Sequence, residues 1–138
     1  MTHYWVGPVR SDNTYAQFIV TISNLSAKDS KLPLLQLCEQ VVIGIKQRRL
    51  EWSATQPEQG TINGLPFVRC SWSGVVTSAA REGLAGRAMH GIVYVAARDH
   101  QLIQIMCQDV APDHAEWIAQ GELAASSVHF VNSESTPP

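Results

Sequence analysis

The chain has 138 residues, 45% of them apolar and only 16% charged, with a formal net charge of −2. That length suits one domain whose core needs no staple, and the low charge leaves a surface built largely of Ser, Thr, Gln, Asn, Ala and Gly. It disfavours nucleic acid, which wants a concentrated basic face; the one basic cluster, Lys46-Gln-Arg-Arg49, more simply complements the negative end of a helix.

Residues 1–14 read as an N-terminal arm in which Tyr4, Trp5, Val6 and Pro8 form an apolar cluster that packs back on the domain or offers a contact patch. No basic segment followed by an apolar run opens the chain, and no stretch approaches a membrane span, so the chain reads as cytoplasmic as written. It would be extracytoplasmic if Met1 stood after a removed signal.

Residues 15–23 alternate Phe18, Val20 and Ile22 with Gln17, Ile19 and Thr21, the pattern of a strand. A helix follows over about 30–49, capped by Ser30, with Pro33 in its first turn. Leu34, Leu35, Cys38, Val41, Val42 and Ile45 recur at helical spacing and form its apolar stripe, and Gly44 inside it suggests a close approach to a strand. Residues 50–55 read as a short strand and 56–60 as a turn.

Asn63-Gly64 then turns the chain into a strand over 67–76, with Val68, Cys70 and Trp72 on a buried face and Phe67, Arg69, Ser71 and Ser73 on a mostly wet one. Residues 77–86 lack a strand pattern and form a long hairpin loop, with Arg81 and Arg87 at its margins. Strands over 87–97 and 101–110 complete an antiparallel meander. Pro112 opens a last helix over about 112–128, whose stripe of Trp117, Gly121, Ala124 and Val128 is mostly small and packs flat. His129-Phe-Val reads as a short final strand, and 131–138 as a disordered polar tail. The expected fold class is α+β: a central, mostly antiparallel sheet with two packing helices, an α/β/α sandwich in one domain over 15–130.

No residues have the types and spacing of a catalytic, metal or cofactor site. His114 and Glu116 diverge on a helix, and no second His stands at i+3 or i+4 to chelate. Ser71-Trp-Ser-Gly74 lacks the first glycine and the strand-to-helix turn of a nucleophile elbow. Cys38, Cys70 and Cys107 have apolar neighbours and read as buried free thiols. A Cys70–Cys107 disulfide stays open if their strands adjoin.

In their order along the chain, Ile62-Asn-Gly-Leu-Pro66, Gly91-Ile-Val-Tyr-Val95, Gln101-Leu-Ile-Gln-Ile105 and Ser126-Ser-Val-His-Phe130 resemble the PsbP/DcrB-like superfamily over about residues 15–130. That superfamily of α/β/α sandwiches also holds a Ran-binding import factor and bacterial type VI secretion adaptor chaperones. The resemblance implies a small binding or assembly subunit with no shared catalytic site.

The expected function is a noncatalytic protein-binding or adaptor module, with a protein partner and a homodimer as a further option. Its surface would comprise loop 77–86 with Arg81 and Arg87, and the sheet face bearing Arg69, Ser71, Ser73 and Tyr94. An alternative is a small-molecule-binding protein or weak hydrolase using His90 with Ser71 or Ser73 near that loop. A third reading, a cradle for a hydrophobic segment, predicts an apolar groove and often a dimer.

Overall fold

Alternation of β-branched and aromatic residues builds most of this molecule, and helices fall where the apolar spacing changes to three and four. A computed structural model describes residues 1–77 and 84–130. In chain order it contains β1 (Thr2–Val6), β2 (Gln17–Asn24), α1 (Leu34–Lys46), β3 (Arg49–Ala54), β4 (Glu58–Ile62), β5 (Leu65–Val76), β6 (Ala88–Arg98), β7 (Gln101–Val110) and α2 (His114–Ser126). The fold is α+β. Its seven-stranded sheet runs β1-β2-β7-β6-β5-β3, with β4 also paired to β5, and every pairing is antiparallel.

The helices lie on opposite faces. Leu37 and Cys38 of α1 bury against Val68, Cys70, Val93 and Val95, while Ala125 and Ile118 of α2 pack on Ile92, Tyr94 and Ile105. The central strands are therefore buried on both sides, and the wet face expected for residues 67–76 is a second core interface at Phe67. Phe67 meets the Tyr94 ring at 5.2 Å. Alternation alone cannot tell a solvated face from one covered by a helix of small residues.

Several local readings change. The first residues are not an arm outside the sheet: Thr2–Val6 pair with β2 in the register Tyr4↔Ile19 and Trp5↔Phe18. Residues 58–62, expected partly as a turn, form β4 against Leu65–Arg69, and residues 128–130 carry no strand. Pro33 rather than Ser30 occupies the cap of α1, and Ser30 donates its hydroxyl to the Ala27 carbonyl in a preceding 3-10 turn. Leu37 takes the buried place assigned to Leu35, which is exposed. Gly44 faces open space; the glycines that permit close approach are Gly91, beneath the Trp72 indole, and Gly121, over Cys107. The tail over 131–138 lies outside the described residues.

The three cysteines are free and buried. Cys70 faces α1 whereas Cys107 lies under α2, and β6 separates their strands. A disulfide between them is thus excluded by topology.

Candidate functional site

The expected surface residues sit in different places. Arg69 on β5 donates to Glu58 at 3.2 and 3.3 Å and to Glu122 of α2 at 3.5 Å, tying the β4–β5 hairpin to the helix. Its neighbour across the pairing is Tyr94, which is only 5% exposed. Burial raises the Tyr94 phenol above its usual range. Tyr94 is therefore a core residue, not a surface contact, because α2 covers its face.

Arg87 lies just before β6, seven residues from Tyr94, on the order of 23 Å along a strand. It donates to Asp12 at 3.2 and 3.3 Å and to the Ala111 carbonyl. Asp12 in turn accepts from the Thr14 hydroxyl at 2.7 Å. Hydrogen bonds from Thr14, and then Arg87, hold the Asp12 carboxyl below its usual range. Arg87 thus belongs to a network that fixes the 7–16 connection. Arg81 lies outside the described residues.

The sheet aligns Ser73, His90 and Asp109 across β5, β6 and β7. The row has the residue types of a hydrolase triad, but its hydrogen bonds run elsewhere. Asp109 is occupied by both terminal guanidinium nitrogens of Arg10, at 2.8 and 2.6 Å, and by the Val110 N–H. His90 instead stacks on His114 at the head of α2, with centroids 3.7 Å apart and the rings 8° from parallel. Among the described residues no hydrogen bond joins Ser73 to His90. The thiols are equally remote from nucleophilic use: burial pushes Cys38 up to about 11 and Cys107 to about 12.

The His90 imidazole is lowered by burial first and by the charge of His114 second. A histidine lowered in the folded state binds fewer protons than in the unfolded chain, so its contribution to stability is complete above 6.5 and falls as pH drops through the folded value. Urea melts between about pH 5 and 7.5 should show an acid loss in wild type that His90→Phe, which keeps a stacked ring, reduces. Identical pH profiles for the two proteins would remove His90 as the source.

The large concave feature lies at the opposite edge of the sheet. Helix α2 rests on β7 and β6, leaving the same face of β2 half-buried and β1 exposed. Trp5, Phe18, Val20 and Ile22 form the sheet side of a groove of about 640 Å³, and Trp117, Gly121 and Ala124 form its helix side. Val128 and Phe130 line it after the helix, and its polar members are His3, Gln17, Gln120, Ser127 and His129. No Asp, Glu, Lys or Arg lines it. The groove exists because α2 presents small residues there, and Trp117 reaches across to Gly7. A second void, beside Ile62, Phe67 and Tyr94, measures about 10 Å³, room for no more than a single water.

Arg69, Arg87 and Tyr94, the residues expected from the sequence to form a binding surface, do not line this groove. Two signals did point to it: the Tyr4-Trp5-Val6 cluster and the small-residue stripe of α2. Neither shows by itself that they face each other across β2. Among the described residues no group of three or more His, Cys, Asp or Glu is arranged to hold a metal ion, and no helix is long and apolar enough to cross a membrane.

No protein-family model matches the chain, and no curated protein does. Among solved structures it is similar to a Pseudomonas aeruginosa protein of unknown function, PA94, with a TM-score of 0.70 and 12% sequence identity over 96% of this chain and 85% of that one. The likeness extends over nearly the whole chain and concerns the fold alone.

Proposed function

We propose that this protein is a noncatalytic binding module that takes an uncharged, apolar segment of a partner protein into the groove between α2 and the β1–β2 edge. The observation that carries this reading is the groove itself: about 640 Å³, walled by Trp5, Phe18, Val20 and Trp117, with no charged side chain in its lining. Contiguous exposed apolar surface is costly to leave in water and marks an interaction site. Trp5 is 54% exposed, which suits a side chain awaiting a partner better than one that completes a core. This reading shifts the binding surface away from Arg69 and Arg87, whose guanidinium groups already have carboxylate partners.

Ala124 is exposed on the groove wall, so Ala124→Glu places a charge in the groove without opening the core. A 20-residue Leu/Ala peptide with terminal lysines for solubility should change the fluorescence of Trp5 and Trp117 on titration. Ala124→Glu should weaken its binding about tenfold or more, since a carboxylate buried against apolar surface costs well over 1.4 kcal/mol. Equal affinity of the two proteins for the peptide would refute the groove as the binding site. The volume also falls within the range of small-molecule sites. Native mass spectrometry of the purified protein carrying a small apolar ligand, with no response to peptide, would favour that second reading.

A further inference from the structure

We propose that the partner segment binds as an added strand: an extended, uncharged stretch of chain pairs with the outer edge of β1 and lays alternate apolar side chains into the groove beside Trp5. This rests on the groove reading above and specifies how the site is used.

The backbone parity of β1 sets the geometry. Gly7 donates to the Ala16 carbonyl, and Met1 and Ile22 exchange both backbone bonds. Odd-numbered residues of this pair therefore turn their backbone groups toward β2. The N–H and C=O groups of Thr2, Tyr4 and Val6 consequently point away from the sheet, and all five residues of β1 are exposed. These are the donors and acceptors that an incoming strand needs, and its side chains would alternate between the groove face and the face of Tyr4 and Val6.

The outer strands β3 and β1 are treated differently. At β3 the pairing is broken by a register shift between Leu50 and Ser53, Glu51 sits at φ 50°, and the strand carries Arg49 and Glu51. Bulges and charges of this kind keep other chains off an edge. Strand β1 has neither proline, lysine nor bulge, and it leaves Tyr4, Trp5 and Val6 at 60%, 54% and 57% exposure. Such an edge is a liability unless it has an occupant.

A second copy of this chain suits the edge less well than a partner segment does. Two β1 strands paired about a two-fold axis contribute five residues a side, against the roughly 20–30 a side of a stable interface. A segment that occupies both the edge and the groove covers more. The lining holds no Asp, Glu, Lys or Arg side chain, and its one fixed charge, the Met1 α-ammonium, already donates to the Ile22 carbonyl, which favours a segment that is itself uncharged where it enters.

The test uses the full chain and three capped synthetic peptides: an alternating Val-Thr octamer, the same octamer N-methylated on the edge that would meet β1, and the Leu/Ala peptide named above. Binding is read by tryptophan fluorescence, and amide exchange at Thr2, Tyr4 and Val6 by NMR. The proposal expects the Val-Thr octamer to slow exchange at Tyr4 and Val6. N-methylation should cost about tenfold or more in affinity, and so should Tyr4→Pro, which removes an outward N–H while sparing the ladder to β2. If the N-methylated octamer binds equally well, or the edge amides stay unprotected, strand addition is overturned; the groove reading survives provided that Ala124→Glu still weakens the Leu/Ala peptide. Failure of every peptide to bind overturns both. Concentration-dependent protection of the edge amides without peptide, with a matching dimer in sedimentation, makes the occupant a second copy and overturns the partner-segment proposal.

Discussion

Arg10→Ala should destabilise the fold by about 3–5 kcal/mol, the cost of leaving a buried carboxylate without its cation. The Asp109 side chain is fully buried, and Arg10 meets both of its oxygens while remaining 19% exposed itself. What remains after the substitution is one backbone N–H, from Val110. The same guanidinium also donates to Thr14 and lies 3.7 Å from Asp113, so its loss frees the 7–16 connection that carries β1 to the sheet. Urea denaturation should therefore report a large drop in midpoint. Replacing the pair together, Arg10→Met with Asp109→Leu, should recover much of it, because an apolar pair of similar volume carries no desolvation penalty. A loss within about 1 kcal/mol for Arg10→Ala would mean that the pair behaves like an exposed ion pair, contrary to its burial.

Gly91→Ala should cost about 1–3 kcal/mol or more by overpacking, although it adds one methyl group. A Cβ at this position would lie 2.4 Å from the Trp72 ring, a separation that atoms cannot hold. Trp72 has little freedom to yield. Its indole stacks on Trp52 at 5.6 Å and 13°, and the Arg49 guanidinium lies 4.5 Å from its ring on a third side. A double-mutant cycle with Trp72→Leu checks the cause: removing the indole should make Gly91→Ala much less harmful, with a coupling of about 1 kcal/mol or more. Strict additivity would locate the strain elsewhere. Because Gly91 is on the α1 face, neither variant should alter peptide binding at the groove beyond its effect on the folded fraction.

The sequence by itself determined the architecture. Period-two alternation over 15–23, 67–76, 87–97 and 101–110, with helical stripes over 30–49 and 112–128, corresponds to β2, β5, β6, β7, α1 and α2 to within a few residues. These elements are legible because each must bury one face locally, and that requirement is written in the spacing of its own residues. The absence of an alternating run at the front hid β1, a five-residue strand whose side chains are all exposed and so carry no burial pattern. That Tyr94 and Arg69 share a face follows from pairing parity; that Tyr94 is buried rather than on the surface depends on where α2 lies.

Only the tertiary structure decided where the groove lies. Helix α2 covers β7 and β6 and stops short of β2 and β1, so residues separated by more than a hundred positions, Trp5 and Trp117 among them, wall one groove. The same packing pairs Arg87 with Asp12 and Asp109 with Arg10. Spacing along a chain encodes which face of an element is apolar; how far a neighbouring helix extends over that face is set by the sum of long-range contacts, and no local pattern contains it.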